Sequence, residues 1–74
     1  MKIGISSHKH YGVQLRATRE FFDVTQTELA KRIGTSSSNL SHFEKGDNTR
    51  GNGSLDTAIR YARGLGADEL IIKL

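Results

Sequence analysis

Residues 25–46 read TQTELAKRIGTSSSNLSHFEKG, and this stretch decides the fold. It opens on a capping box, in which the Thr25 hydroxyl accepts from the backbone of Glu28 while the Glu28 carboxylate reaches back to Thr25. Val24, just before the cap, is placed to staple onto Leu29. The helix that follows buries Leu29, Ala30 and Ile33 and stops at Gly34, the usual residue just past a helix end. Thr35 or Ser36 caps a second helix, which runs to about Lys45 before Gly46. Leu40, Phe43 and Glu44 fall on one side of it, and Ser37, Ser38, Ser41 and His42 largely on the other.

Working outward, the pattern is already helical from about Tyr11, with Leu15, Thr18, Arg19 and Phe22 at i, i+3, i+4 and i+7. Asp23 is expected to end that helix, since Asp tolerates a left-handed backbone better than most residues. Residues 46–53 read as a polar loop. Ser54 then caps a fourth helix with an expected buried face of Leu55, Ala58, Ile59, Ala62 and Leu65, and Gly66 ends it. The tail 69–74, ELIIKL, is β-branched and apolar and reads as a strand. Residues 1–10 are polar apart from Ile3 and Ile5, and the alternation Ile3-Gly4-Ile5 fits a short strand and a disordered arm equally well. The expected class is mostly α, a four-helix domain with a short C-terminal β-strand. It divides into an arm or short strand (1–10), a helical domain (11–66) and a C-terminal strand (67–74).

Composition narrows the function classes. A chain of 74 residues is one domain, with a core that buries roughly 60% of the surface the unfolded chain exposes. It has no cysteine, which excludes disulfides and thiolate zinc sites. Small domains without such staples gain stability by oligomerising. Eleven Lys and Arg oppose eight Asp and Glu, a net charge of +3 that suits a nucleic-acid partner without requiring one. No apolar run is long enough for a signal peptide or a membrane span, so a cytoplasmic protein without a membrane partner is expected. The glycosylation-like triplets at Asn39 and Asn52 are discounted on the same ground. His8 and His10 alternate, but no third ligand is evident, so neither metal nor cofactor is expected. The glycine pairs at 51/53 and 64/66 lack the spacing of a nucleotide fingerprint. Ser41-His42 is a poor nucleophile pair, because adjacent helix residues point apart and the chain is too short to enclose a pocket. An enzyme is not expected.

Two short helices joined by a tight turn containing Gly make a helix-turn-helix. Ala30 must be small where the helices cross, and Gly34 must take a backbone shape that Cβ opposes. Residues 25–46 resemble the phage repressor and Cro-like (XRE-type) helix-turn-helix family residue for residue. With the flanking helices the likeness spans most of the chain. Within that family it looks most like the small HipB-type antitoxin repressors, which also carry a short C-terminal strand. The resemblance implies a sequence-specific transcriptional regulator of double-stranded DNA, an autoregulating repressor that binds a palindromic operator as a homodimer through residues 36–45. The alternative it implies is an antitoxin that binds both its operator and a toxin protein.

The resemblance also implies roles for single residues. Gln26 occupies the phosphate-contacting glutamine position. Ser36, Ser37, Ser38 and Asn39 open the recognition helix, and His42, one turn on, is another base-facing position. Arg19 and Glu44 match a semi-buried ion pair between the first and third helices, and Arg50 is placed like loop residues that contact phosphate or enter the minor groove. Base readers in the family are often Gln, Arg or Lys, which grip a base in bidentate fashion. With serines in the leading positions here, specificity is expected to lean on His42, Asn39, bridging water and DNA shape.

Physical chemistry supports the same picture independently. Helix N-termini carry free N–H groups and a partial positive charge, and Gln26 and residues 35–37 (Thr35, Ser36, Ser37) place two such ends where a phosphate can sit. Lys9, Arg16, Lys31, Arg32, Lys45 and Arg50 supply cations. If about six phosphates are neutralised, log affinity falls against log salt with a slope near about −5. The tail, through Leu70, Ile71, Ile72 and Leu74, is expected to pair with the same strand of a second subunit, since an exposed strand edge seeks a partner. Ile3 and Ile5 are the competing partner.

Overall fold

Capping chemistry sets the ends of the helices. A computed structural model describes residues 1–46 and 54–74. Its elements are β1 (Lys2–Ser6), α1 (Tyr11–Phe21), α2 (Gln26–Ile33), α3 (Ser37–Lys45), α4 (Leu55–Gly64) and β2 (Glu69–Lys73). The domain is mostly helical, with a short strand pair at its termini.

Thr25 Oγ1 accepts the Glu28 N–H at 3.1 Å, and α2 ends at Gly34 with a left-handed φ of 76°. Ser36 Oγ accepts the Asn39 N–H at 3.0 Å, and α3 ends at Gly46, also left-handed. Ser54 caps α4 by accepting from Thr57. Asp23 takes the left-handed conformation that closes α1, with φ 57°. One half of the capping box differs from the sequence reading. The Glu28 carboxylate pairs with Arg32, one turn along, at 2.8 Å, a stronger charge-assisted partner than the neutral N–H of Thr25. His10 also has a role the sequence did not show. Its Nδ1 accepts the Gly12 N–H at 3.0 Å, capping α1, and its ring rests against Phe43. Among the described residues no group of three or more His, Asp or Glu assembles as a metal site.

The core gathers Leu15, Leu29, Leu40, Ala58 and Tyr61, each almost fully buried, with Ile3, Ile5, Ala30, Phe43, Ala62 and Ala67 around them. Three expected core residues are outside it: Ile59 is half-buried and does not join the cluster, and the other two are more open. Phe22 is 42% exposed and Leu55 49% exposed. Phe22 lies in the cap of α1 rather than in its body, and Leu55 opens the first turn of α4, a turn ahead of the buried Ala58. Tyr61, absent from the sequence reading, takes the central place on α4 instead. Burying this set at about 25 cal/mol per Å² of apolar surface is the main favourable term.

Two glycines permit the helices to approach. A Cβ on Gly12 would lie 2.0 Å from the Phe43 carbonyl oxygen, so α1 and α3 touch backbone to backbone there. A Cβ on Gly64 would run into Ile33 and Leu29 of α2.

β1 and β2 pair in parallel, with Ile3 opposite Leu70 and Ile5 opposite Ile72. Ile3 and Ile5, the competing partner in the sequence reading, thus take one edge of the tail strand. Period-2 alternation turns Ile3, Ile5, Leu70 and Ile72 toward the helices, and leaves Gly4 and Ile71 on the outer face. Leu74 is fully exposed. No third strand joins this sheet among the described residues. None of the described helices is long and apolar enough to cross a membrane.

Candidate nucleic-acid interface

The site is built on a buried brace. Arg19 of α1 grips Glu44 of α3 in bidentate fashion, Nε to Oε2 at 2.7 Å and Nη2 to Oε1 at 2.9 Å. The side chains are only 9% and 1% exposed. Arg19 Nη1 also donates to the Val24 carbonyl at 2.7 Å, tying the brace to the segment that enters α2. Tyr61 of α4 donates its hydroxyl to Glu44 Oε2 and receives Arg19 Nε at 3.1 Å. Gln26, the first residue of α2, donates Nε2 to Glu44 Oε1 at 2.9 Å. All four helices therefore meet at one carboxylate. No buried side-chain polar atom among the described residues lacks a partner.

These contacts set the protonation behaviour. Burial pushes the Glu44 carboxyl up, but hydrogen bonds from Arg19, Tyr61 and Gln26 outweigh it and hold the group below its ordinary value. Burial, and then the adjacent Glu44 carboxylate, push the Tyr61 phenol well above its ordinary value. The Arg19 guanidinium is raised chiefly by its hydrogen bond to Glu44. A depressed carboxylate stabilises the fold above its unfolded pKa and loses that contribution as pH falls through its folded one. A raised phenol does the reverse, holding below its unfolded value and failing as pH climbs. The melting temperature is accordingly expected to fall below about pH 4.5 as Glu44 protonates and again above pH 10 as Tyr61 is forced to ionise. Tyr61→Phe is expected to flatten the alkaline limb; thermal melts across pH in both proteins check this, and an unchanged alkaline limb refutes it.

Above the brace, α3 presents an outward face. Leu40, Phe43 and Glu44 are buried, while Ser36, Ser37, Ser38, Asn39, His42 and Lys45 are exposed. Thr35 is half-buried and receives the Asn39 amide at 3.3 Å. The structure thus brings Gln26 and residues 35–45 to the two ends of one rigid pair. Ser36 is committed to capping and the Asn39 amide to Thr35, while Ser37, Ser38, His42 and Lys45 are exposed beside them. Arg50 lies outside the described residues. Of the other cations, Lys9 and Lys31 are exposed. Arg16 and Arg32 make exposed i,i+4 pairs with Glu20 and Glu28, of the kind worth little, and Arg32 also donates to the Gly64 carbonyl at 3.1 Å.

Two residues were missed by the sequence reading. Tyr61 follows Ala58 by three positions and precedes Leu65 by four, a helical spacing that was the signal available for its burial. Its hydroxyl, however, gave no hint of a carboxylate partner. Arg60, paired with Asp56 at 3.3 Å, lines a groove of about 290 Å³ with Thr35, Asn39, His42, Ser54 and Thr57, over a floor of Ile33, Leu40 and Phe43. Nothing in sequence spacing relates α4 to the start of α3.

Two short helices at a glycine turn, braced from below and polar above, define a helix-turn-helix domain of the kind that lays one helix on DNA. The chain belongs to the helix-turn-helix domain family, whose model matches residues 10–70. No curated protein and no solved structure matches the chain.

Proposed function

We propose that this protein is a sequence-specific, DNA-binding transcriptional regulator that represses its own promoter as a homodimer on a palindromic operator. The observation that carries this reading is the division of α3, whose inner side is locked by Leu40, Phe43 and the Glu44 brace while Ser37, Ser38, Asn39, His42 and Lys45 stay exposed. A helix held on one side with an exposed polar face on the other is what major-groove readout requires. Gln26, Thr35 and Ser36 lie at the adjoining helix starts, where phosphate is favoured. Arg50, which lies outside the described residues, is the remaining proposed contact on the strength of the family resemblance.

The two-stranded sheet offers an edge to a second copy, with Ile71 and Leu74 exposed and Leu70 and Ile72 backing them. Twofold pairing there sets two recognition helices about one turn of DNA, roughly 34 Å, apart.

Footprinting on DNA upstream of the protein's own gene tests the proposal. The expected result is a symmetric protected site, bound at least roughly a thousandfold more tightly than random duplex. His42→Ala is expected to change the preference among operator bases. Equal affinity for operator and random duplex would end this reading.

A second reading, an antitoxin, is favoured by one observation. Phe21 is 81% exposed and Val13 51% exposed on the outer side of α1, and Phe21 meets Phe22 edge to face. Such an apolar patch suits a protein partner. Co-purification of a toxin from native cells would separate the two readings.

A further inference from the structure

An ionised carboxylate has about four lone-pair positions for donors. Glu44 fills them: Arg19 twice, Tyr61 once, and Gln26 once. Three of these donors come from the buried interior. The fourth, Gln26 Nε2 at 2.9 Å, belongs to a half-buried side chain on the first turn of α2.

We propose that Glu44 is a positioning residue for DNA binding: it takes one N–H of the Gln26 amide and so fixes where the other N–H points. The inference rests on the reading of the α2 start as a phosphate contact. The two N–H groups of a primary amide share one plane, so holding one sets the direction of its twin. A surface glutamine otherwise samples many rotamers and loses that freedom when it binds. A charge-assisted hydrogen bond to a carboxylate that is itself pinned by Arg19 and Tyr61 orders the side chain before DNA arrives. The brace between α1, α3 and α4 therefore has a second output besides stability, since it reaches the surface through Gln26. A glutamine that merely filled a spare lone pair would not change DNA affinity when Glu44 is altered.

Two measurements on the full chain test this. In the free protein, the Gln26 side-chain amide is expected to show the order parameter of a rigid group. An order parameter as low as that of a flexible surface side chain overturns the proposal. Affinity for the promoter duplex and for an unrelated duplex is then measured for Gln26→Met, Glu44→Gln and the double variant, at a temperature where circular dichroism shows each folded. Gln26→Met is expected to weaken binding to both duplexes roughly tenfold, with no change in salt slope because a neutral donor releases no counterion. Glu44→Gln is expected to cause a similar loss, and the double variant no more than either single one.

The failures are distinguishable. If Gln26→Met binds like wild type, the phosphate reading of α2 falls and this proposal with it. If Gln26→Met weakens binding but Glu44→Gln adds an independent loss or none, only the positioning role falls. Should Glu44→Gln not fold, the amide signals of the wild-type complex decide. Their shifts and order parameter stay close to those of the free protein if Glu44 already aims Gln26, and change markedly if DNA rearranges the side chain.

Discussion

Glu44→Ala is expected to remove about 3–5 kcal/mol of stability, because it strands Arg19 in the interior with no carboxylate. For a chain of this length total stability is about 4–11 kcal/mol, so the variant approaches the threshold of folding. Each kcal/mol lowers the melting temperature by roughly 4–8 °C in a domain this size. The loss does not measure the strength of the pair. Arg19 and Glu44 gave up their hydration to meet, and much of the penalty on truncation comes from the charge left behind. The triple replacement Arg19→Met, Glu44→Leu, Tyr61→Phe removes every charged group of the brace, and it is expected to recover most of the lost stability. Thermal melts of the two proteins give the comparison. A Glu44→Ala melting temperature equal to wild type would mean that the four-helix junction at Glu44 is not formed in solution.

Gly12→Ala is expected to destabilise by roughly 2 kcal/mol or more, although alanine is the better helix former. Helix propensity favours the substitution by about 1 kcal/mol. Against it stands the added methyl, placed 2.0 Å from the Phe43 carbonyl oxygen. That atom is backbone inside α3 and has no rotamer to escape into, so the helices must separate. Overpacking of this kind costs about 1–3 kcal/mol and more where nothing yields, and separation would also stretch the Arg19–Glu44 grip between the same two helices. Chemical denaturation reads the sign directly: a higher midpoint for Gly12→Ala would show that α1 and α3 do not approach so closely.

Both effects depend on partners far apart in the chain, and that distance explains what was legible beforehand. The starts and ends of α2 and α3 were readable because Thr25, Gly34, Ser36 and Gly46 act on backbone within four residues of themselves. Asp23 was readable for the same reason. The outward position of Ser37, Ser38 and His42 followed from helical period alone. The Arg19–Glu44 pair was legible only through family resemblance, since no local rule links residues on different helices. Gly12 gave no signal, because a glycine inside a helical pattern does not say which carbonyl approaches it. Leu55 and Phe22 were misplaced because periodicity assigns a face to every turn, while burial depends on how far the neighbouring helices extend.

The sequence by itself determined four helices, the N-caps of α2, α3 and α4 and the polar face of α3, because hydrogen bonds within one turn and a 3.6-residue period need no knowledge of the rest of the molecule. Only the tertiary structure decided that Tyr61 and Gln26 meet at Glu44, that α1 and α3 touch at Gly12, and that the last strand lies along the first. Those outcomes depend on which surfaces the packed helices bring together, and desolvation makes each contact count only once that packing exists.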